Sequence, residues 1–100
     1  MAIVYDELKN RNFEEIVHTY TERDTMLYAL GAGVGYDPMD EKALNYVYEE
    51  NLSALPTMAT VLAYPGFWLK EPDTGVDWTK VLHADQEIIL HKPLPPSGTV

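Results

Sequence analysis

One hundred residues with 46% hydrophobic side chains are enough for one small globular domain, with a core that is marginal for its size. A net charge of −9, with only seven Lys and Arg, argues against nucleic acid, whose phosphates need cations to neutralise them, and weighs mildly against any polyanionic ligand. The chain has no cysteine, which excludes a disulfide scaffold and a thiolate metal site.

The N-terminus, MAIVYDELKN, has no basic region followed by an apolar run and is not read as a secretory signal. No apolar stretch is long enough to span a bilayer, so a cytoplasmic protein without membrane association is expected. Ile16, His18 and Tyr20 alternate with Val17 and Thr19, a short strand pattern. In TERDTMLYALG, Thr21 is placed to cap a helix, with Asp24 as the reciprocal partner of a capping box. Met26 and Leu30 share a face and Gly31 supplies a stop, so a helix is predicted over residues 22–30. The glycines of GAGVGYDP follow a helix rather than a strand, and a flexible turn is predicted there rather than a phosphate cradle. Asp37 and Pro38 open a predicted helical turn, and NYVYE reads as a strand with Tyr46 and Tyr48 on one side.

LPTMATVLAYPG has no polar face. A segment that is apolar all round is buried; a short buried helix is predicted, and its β-branched residues leave a strand as the alternative. Turn signals fill residues 71–75. In VLHADQEIILH, Leu82, Ala84, Ile88 and Leu90 fall on one face and His83, Asp85, Glu87 and His91 on the other, which predicts a half-buried antiparallel strand. A proline-rich connection follows, and Thr99 and Val100 open another strand. Two helices and about three strands form an α+β layout. So few strands cannot enclose an apolar helix, so the chain is expected to depend on pairing with further sequence.

Residue types alone reveal no active site. His18, His83 and His91 lack the spacing of a helical metal pair. His83 and Asp85 share a strand face, a pattern open to a ligand pair or an acid–base pair but better read as an exposed polar edge. The paired carboxylates at 14–15, 40–41 and 49–50 read as solvated faces. No Gly-x-Ser-x-Gly turn is present.

Taken in order, YTERDTMLYALGAG, NYVYEENLSALPTMATVL, YPGFW and VLHADQEIILHKPLPPSGTV resemble the N-terminal half of the MaoC-like enoyl-CoA hydratase 2 family, a domain also carried by peroxisomal multifunctional enzymes. The resemblance covers about residues 15–100. It implies a hot-dog fold, an antiparallel sheet wrapped around a central helix, as the first repeat of a double hot-dog. Residues 1–100 would be that N-terminal dehydratase repeat, short of its last strands. It implies addition of water to a trans-2-enoyl-CoA to give the (3R)-3-hydroxyacyl-CoA, or the reverse, by an Asp and a His acting on one water. Their motif, Asp-x-Asn-Pro-x-His, belongs to the second repeat, and Asp37-Pro38 is its nearest echo here. No catalytic residue, metal or cofactor is therefore expected in this half, and the isolated chain is expected to be inactive. The expected partners are an acyl-CoA substrate, the second repeat of the same protein and a second copy in a homodimer. The compartment would be peroxisomal in a eukaryote. The resemblance assigns His83 and Ala84 to acyl-CoA binding; the commoner family form is Leu-His-Gly-Glu-Gln, so Ala84 adds a methyl where ligand approaches backbone. The rival readings are a non-catalytic acyl-CoA-binding module and a hot-dog thioesterase.

Overall fold

A computed structural model describes residues 2–100. It contains three α-helices, α1 (Tyr5–Lys9), α2 (Glu22–Gly31) and α3 (Glu41–Val47), and two short strands, β1 (Thr19–Tyr20) and β2 (Gly98–Thr99). Single 3₁₀ turns occupy Pro56–Thr60, Trp68–Lys70, Pro72–Thr74 and Trp78–Lys80. The α+β class stands, with a two-stranded antiparallel sheet. The chain divides into two compact units, Met1–Ile16 with Pro65–Glu87, and Val17–Tyr64 with Ile88–Val100.

In the second unit, β1 and β2 pair antiparallel, Thr19 opposite Thr99 and Tyr20 opposite Gly98. Reciprocal bonds between His18 and Val100 (2.7 and 2.8 Å) extend the ladder. The strand expected at residues 16–20 is thus present in its second half, and the one expected to open at Thr99 pairs with it. The predicted helix is α2, but Gly31 is its last residue rather than its stop, and the left-handed glycine that follows is Gly33 at φ 90°. Its capping box is formed: Thr21 Oγ1 accepts from the Asp24 N–H (3.5 Å), and the Asp24 carboxylate accepts from the Thr21 N–H (2.8 Å). That backbone bond is the main reason the Asp24 carboxyl lies below the usual carboxylate range.

Buried Tyr20 and Thr25 hold the proline-rich connection. The Tyr20 hydroxyl donates to the Pro95 carbonyl (2.6 Å) and the Thr25 hydroxyl to the Pro96 carbonyl (2.7 Å). Proline has no N–H to place in a ladder, so these carbonyls are met by side chains instead. Ala29, Leu52 and Met58 complete the buried apolar set with Tyr20.

Three expectations are corrected in this unit. NYVYE is not a strand: residues through Val47 belong to α3. Asp40 caps that helix by accepting from the Lys42 and Ala43 N–H groups (3.1 and 3.3 Å). The half-buried residues Ala43, Tyr46 and Val47 have i, i+3, i+4 spacing, and this period outweighs the alternation of Tyr46 and Tyr48. The expected turn at Asp37 exists, with Asp37 accepting from the Met39 N–H (2.9 Å), but the helix begins later, behind Asp40. The apolar segment at Pro56 forms a 3₁₀ turn ending at Thr60, not a helix reaching Tyr64. The Thr60 hydroxyl bonds back to the Thr57 carbonyl (2.8 Å), a local bond that competes with helix continuation. Within the turn Met58 is buried while Thr57 is exposed; Val61 is exposed and Leu62 half-buried. Burying Met58 is worth about 1.5–3 kcal/mol.

The strand expected over VLHADQEIILH does not form: the structure assigns residues 81–90 to no helix or strand. Residues 81–90 are all exposed, and among the described residues none of 82–97 makes a backbone–backbone hydrogen bond. β1 is taken by β2, and alternation buries a face only where a neighbouring strand and a core exist.

In the first unit, Arg11 is the organising residue. Its guanidinium bonds Asp73 (2.9 Å) and lies over the rings of Phe13 and Trp68 (5.9 and 5.7 Å), which meet edge-to-face with centroids 5.1 Å apart. Buried Thr74 reaches the Leu69 and Glu71 carbonyls (3.2 and 2.9 Å) and accepts from the Val76 N–H (3.2 Å). Gly75 follows at φ 69°, and a Cβ there would sit 2.5 Å from the Ala2 carbonyl oxygen. Only glycine satisfies both constraints.

Candidate functional site

His83 and Ala84 lie on the irregular segment that leaves the Trp78–Lys80 turn, and both are exposed. The turn is fixed locally. Asp77 accepts from the Thr79 N–H (3.2 Å) and hydroxyl (2.6 Å), and the hydroxyl bond is the leading cause that holds the Asp77 carboxyl below its usual range. Lys80 Nζ stands 3.6 Å from Asp77. His83 and Asp85 make no hydrogen bond to each other among the described residues, so the same-face pair does not form an acid–base couple here.

Beside the turn, Phe67 and Trp78 meet edge-on, centroids 6.2 Å apart at 88°. Lys70 Nζ stands 4.6 Å from the Trp78 ring centroid and 5.9 Å from that of Phe67. Among the described residues Lys70 has no acidic partner. Residue spacing did not single out this cluster; the signal available was two aromatics each within three residues of a lysine.

The other histidines have different surroundings. His18 Nδ1 accepts from the Ala63 N–H (3.0 Å), which ties β1 to a residue held at φ 52°, so this half-buried imidazole is occupied structurally. His91 is exposed. Among the described residues no three His, Asp or Glu side chains converge where a metal ion could sit.

The glycine-rich turn is a helix stop. Gly33 and Gly35 take φ 90° and 84°, and the N–H groups of Ala32, Gly33 and Val34 bond carbonyls at Tyr28, Ala29 and Leu30. Those amides serve the end of α2 and are not free to cradle a phosphate. The turn borders an open groove of about 440 Å³ with Val34, Tyr36, Asp40 and Tyr46 in its lining. A second depression of about 360 Å³ in the first unit has Glu7, Arg11, Asn12 and Asp73 in its lining. There Arg11 is already paired with Asp73 and stacked on two rings. Sequence reasoning passed over Arg11 because Asp73 is 62 residues away and no local pattern announces the pair.

Residues 18–100 match the family model for the MFE-2 hydratase 2 N-terminal domain. The chain is 36% identical to the enoyl-CoA hydratase ChsH3 of Mycobacterium tuberculosis, a match covering 99% of this chain and 36% of that protein. It is 33% identical to the peroxisomal enoyl-CoA hydratase 2 of Arabidopsis thaliana, covering 95% of this chain and 33% of that protein. It is 37% identical to the peroxisomal multifunctional enzyme type 2 of Mus musculus, covering 80% and 11%. The chain thus spans about a third or less of the length of these relatives. No solved structure matches it.

Proposed function

The chain belongs to the family of MFE-2 hydratase 2 N-terminal domains, and from that premise we propose that it is the acyl-CoA-binding half of an (R)-specific trans-2-enoyl-CoA hydratase, working in reverse as a 3-hydroxyacyl-CoA dehydratase. The observation that carries this reading is the family match over residues 18–100, joined by relatives named as hydratases along nearly the whole chain. A further relative, 34% identical over 85% of this chain, is named 3-hydroxyacyl-thioester dehydratase Y, of Mycobacterium tuberculosis, which supports the same reaction in the opposite direction.

In this reading the exposed, unpaired segment from Val81 to His91 is a strand of a hot-dog sheet. Remaining strands and a second repeat supply its neighbours, and the Pro56–Thr60 turn marks the start of the central helix. Leu82, Ala84, Ile88 and Leu90 gain a core to face only in that assembly, which is the physical reason to expect it: ten exposed peptide groups in an apolar-alternating run are an open sheet edge.

The chemistry divides between the halves. Hydration needs a base to take a proton from water and an acid to protonate the α-carbon, and donors that stabilise enolate charge on the thioester oxygen. The acid–base pair comes from the second repeat. This chain positions the substrate: His83 offers an imidazole donor to a phosphate or amide oxygen of coenzyme A, and small Ala84 lets the ligand approach the backbone. The intact protein acts as a homodimer, in the peroxisome where the source has one.

The test measures hydration of crotonyl-CoA or decenoyl-CoA beside thioester cleavage, for the intact protein and for residues 1–100 alone. Hydration by the intact protein and none by the isolated chain is expected. Saturable hydration by the isolated chain refutes the division of labour, and thioester cleavage without hydration identifies a thioesterase instead. Tight acyl-CoA binding by the isolated chain, without hydration by the intact protein, identifies a binding module.

A further inference from the structure

Coenzyme A is a polyanion and this chain carries a net charge of −9. An acyl-CoA site here needs a local concentration of cations, and the first unit has one beside an aromatic pair. Phe67 and Trp78 are 43% and 44% exposed, each leaving ring surface in water although the two touch edge-on. Lys70 rests against both rings, and Lys80 ends the turn that Trp78 begins. Trp68, by contrast, is packed against Phe13 and lies beneath Arg11.

We propose that Phe67, Lys70 and Trp78 form the seat for the adenosine 3′,5′-bisphosphate end of coenzyme A. The inference rests on the acyl-CoA reading above and locates the nucleotide within it. A purine stacks on an exposed aromatic face whatever its hydrogen-bonding edge. A lysine with no acidic partner is free to meet phosphate oxygens with charge-assisted hydrogen bonds. The two requirements cooperate: a phosphate draws Nζ off the Trp78 face, and the vacated face takes the purine. Lys80 contributes less, because Asp77 stands 3.6 Å from its Nζ, and Asp77 is also the acidic group whose repulsion a phosphate must tolerate.

Spacing agrees. Three residues take the backbone from Lys80 to His83, a reach of at most about 10 Å at about 3.3 Å per residue. A pantetheine arm leaving a nucleotide seated at Trp78 therefore runs along the chain toward His83 and Ala84. The Asp77–Thr79 bonds hold the turn that carries Trp78 in place, so only the Lys70 side chain has to move when ligand arrives.

The experiment compares Michaelis constants of the intact protein for an enoyl-CoA and for the corresponding enoyl-pantetheine, which lacks the nucleotide. Trp78→Leu keeps an apolar residue at the turn and is expected to raise the constant for enoyl-CoA about 10-fold, the loss of one base–aromatic stack, with the enoyl-pantetheine constant unchanged. Lys70→Ala, a change at an exposed residue, is expected to shift only the enoyl-CoA constant and to weaken its dependence on salt. If the wild-type protein hydrates both substrates but neither variant discriminates between them, the seat is overturned and the acyl-CoA reading survives. If the wild-type protein acts on neither substrate, both fall together.

Discussion

Removing the two hydroxyls that hold the proline-rich connection should loosen it measurably. Tyr20 and Thr25 are each about 1% exposed, and their bonds to the Pro95 and Pro96 carbonyls are short, 2.6 and 2.7 Å. Tyr20→Phe deletes one donor without changing ring volume, and the Pro95 carbonyl, on an exposed residue, turns to water. The cost is that of one net hydrogen bond, about 1 kcal/mol. Thr25→Val keeps the shape and leaves a half-buried Pro96 carbonyl without its donor, which costs about 1–2 kcal/mol. For a domain of this size each kcal/mol lowers Tm by roughly 4–8 °C. Both bonds hold the same turn, so the double variant should depart from the sum of the single ones. Thermal unfolding followed by circular dichroism reads all three. Single variants within about 1 °C of wild type, or a double variant that is more stable, would show that the connection is not held by these side chains.

The capping box of α2 makes a second prediction: Thr21→Ala costs about 1 kcal/mol, measured as a change in urea midpoint at constant m-value. Asp24 and Asp77 have native carboxyls shifted below the usual range. Their contribution is complete above the unfolded value near pH 4 and is lost as pH falls through the lower native value. Stability should therefore decline on acidification below about pH 4 and decline less steeply in Asp24→Asn, which removes the titrating carboxylate that the Thr21 N–H holds; equal acid profiles for the two proteins would contradict the assigned cause. Gly75→Ala adds a Cβ at a positive φ and against the Ala2 carbonyl, so it should destabilise by more than the roughly 1 kcal/mol that a freely accommodated Gly-to-Ala change yields in the opposite sense; a higher Tm for the variant would refute the geometry.

Local chemistry was the legible part of the sequence. The α2 helix and its Thr21–Asp24 box act within a few residues of chain, and the structure carries both, while the stop expected at Gly31 falls later, at Gly33. Misreadings arose where two periods compete or where partners are remote. In residues 43–48 the Tyr46/Tyr48 alternation and the Ala43, Tyr46, Val47 spacing coexist, and Asp40 decides for helix from outside the window. The segment from Val81 to His91 has a strand pattern, yet pairing is a property of two segments, and the pattern names only one. Arg11 with Asp73, and Lys70 with Trp78, are joined by tertiary placement that no spacing rule contains. The resemblance to the hydratase family was legible because it rests on the order of several motifs, which survives even where local structure departs from expectation.

The central claim, that this chain binds the acyl-CoA while catalysis lies in the second repeat, is tested most directly by the kinetics of His83→Ala in the intact protein. The imidazole is proposed to contact the coenzyme A moiety, which does not change between ground state and transition state. Its loss should therefore raise KM for an enoyl-CoA while kcat changes much less, the pattern of lost uniform binding. An unchanged KM, or a collapse of kcat at constant KM, would contradict the assignment.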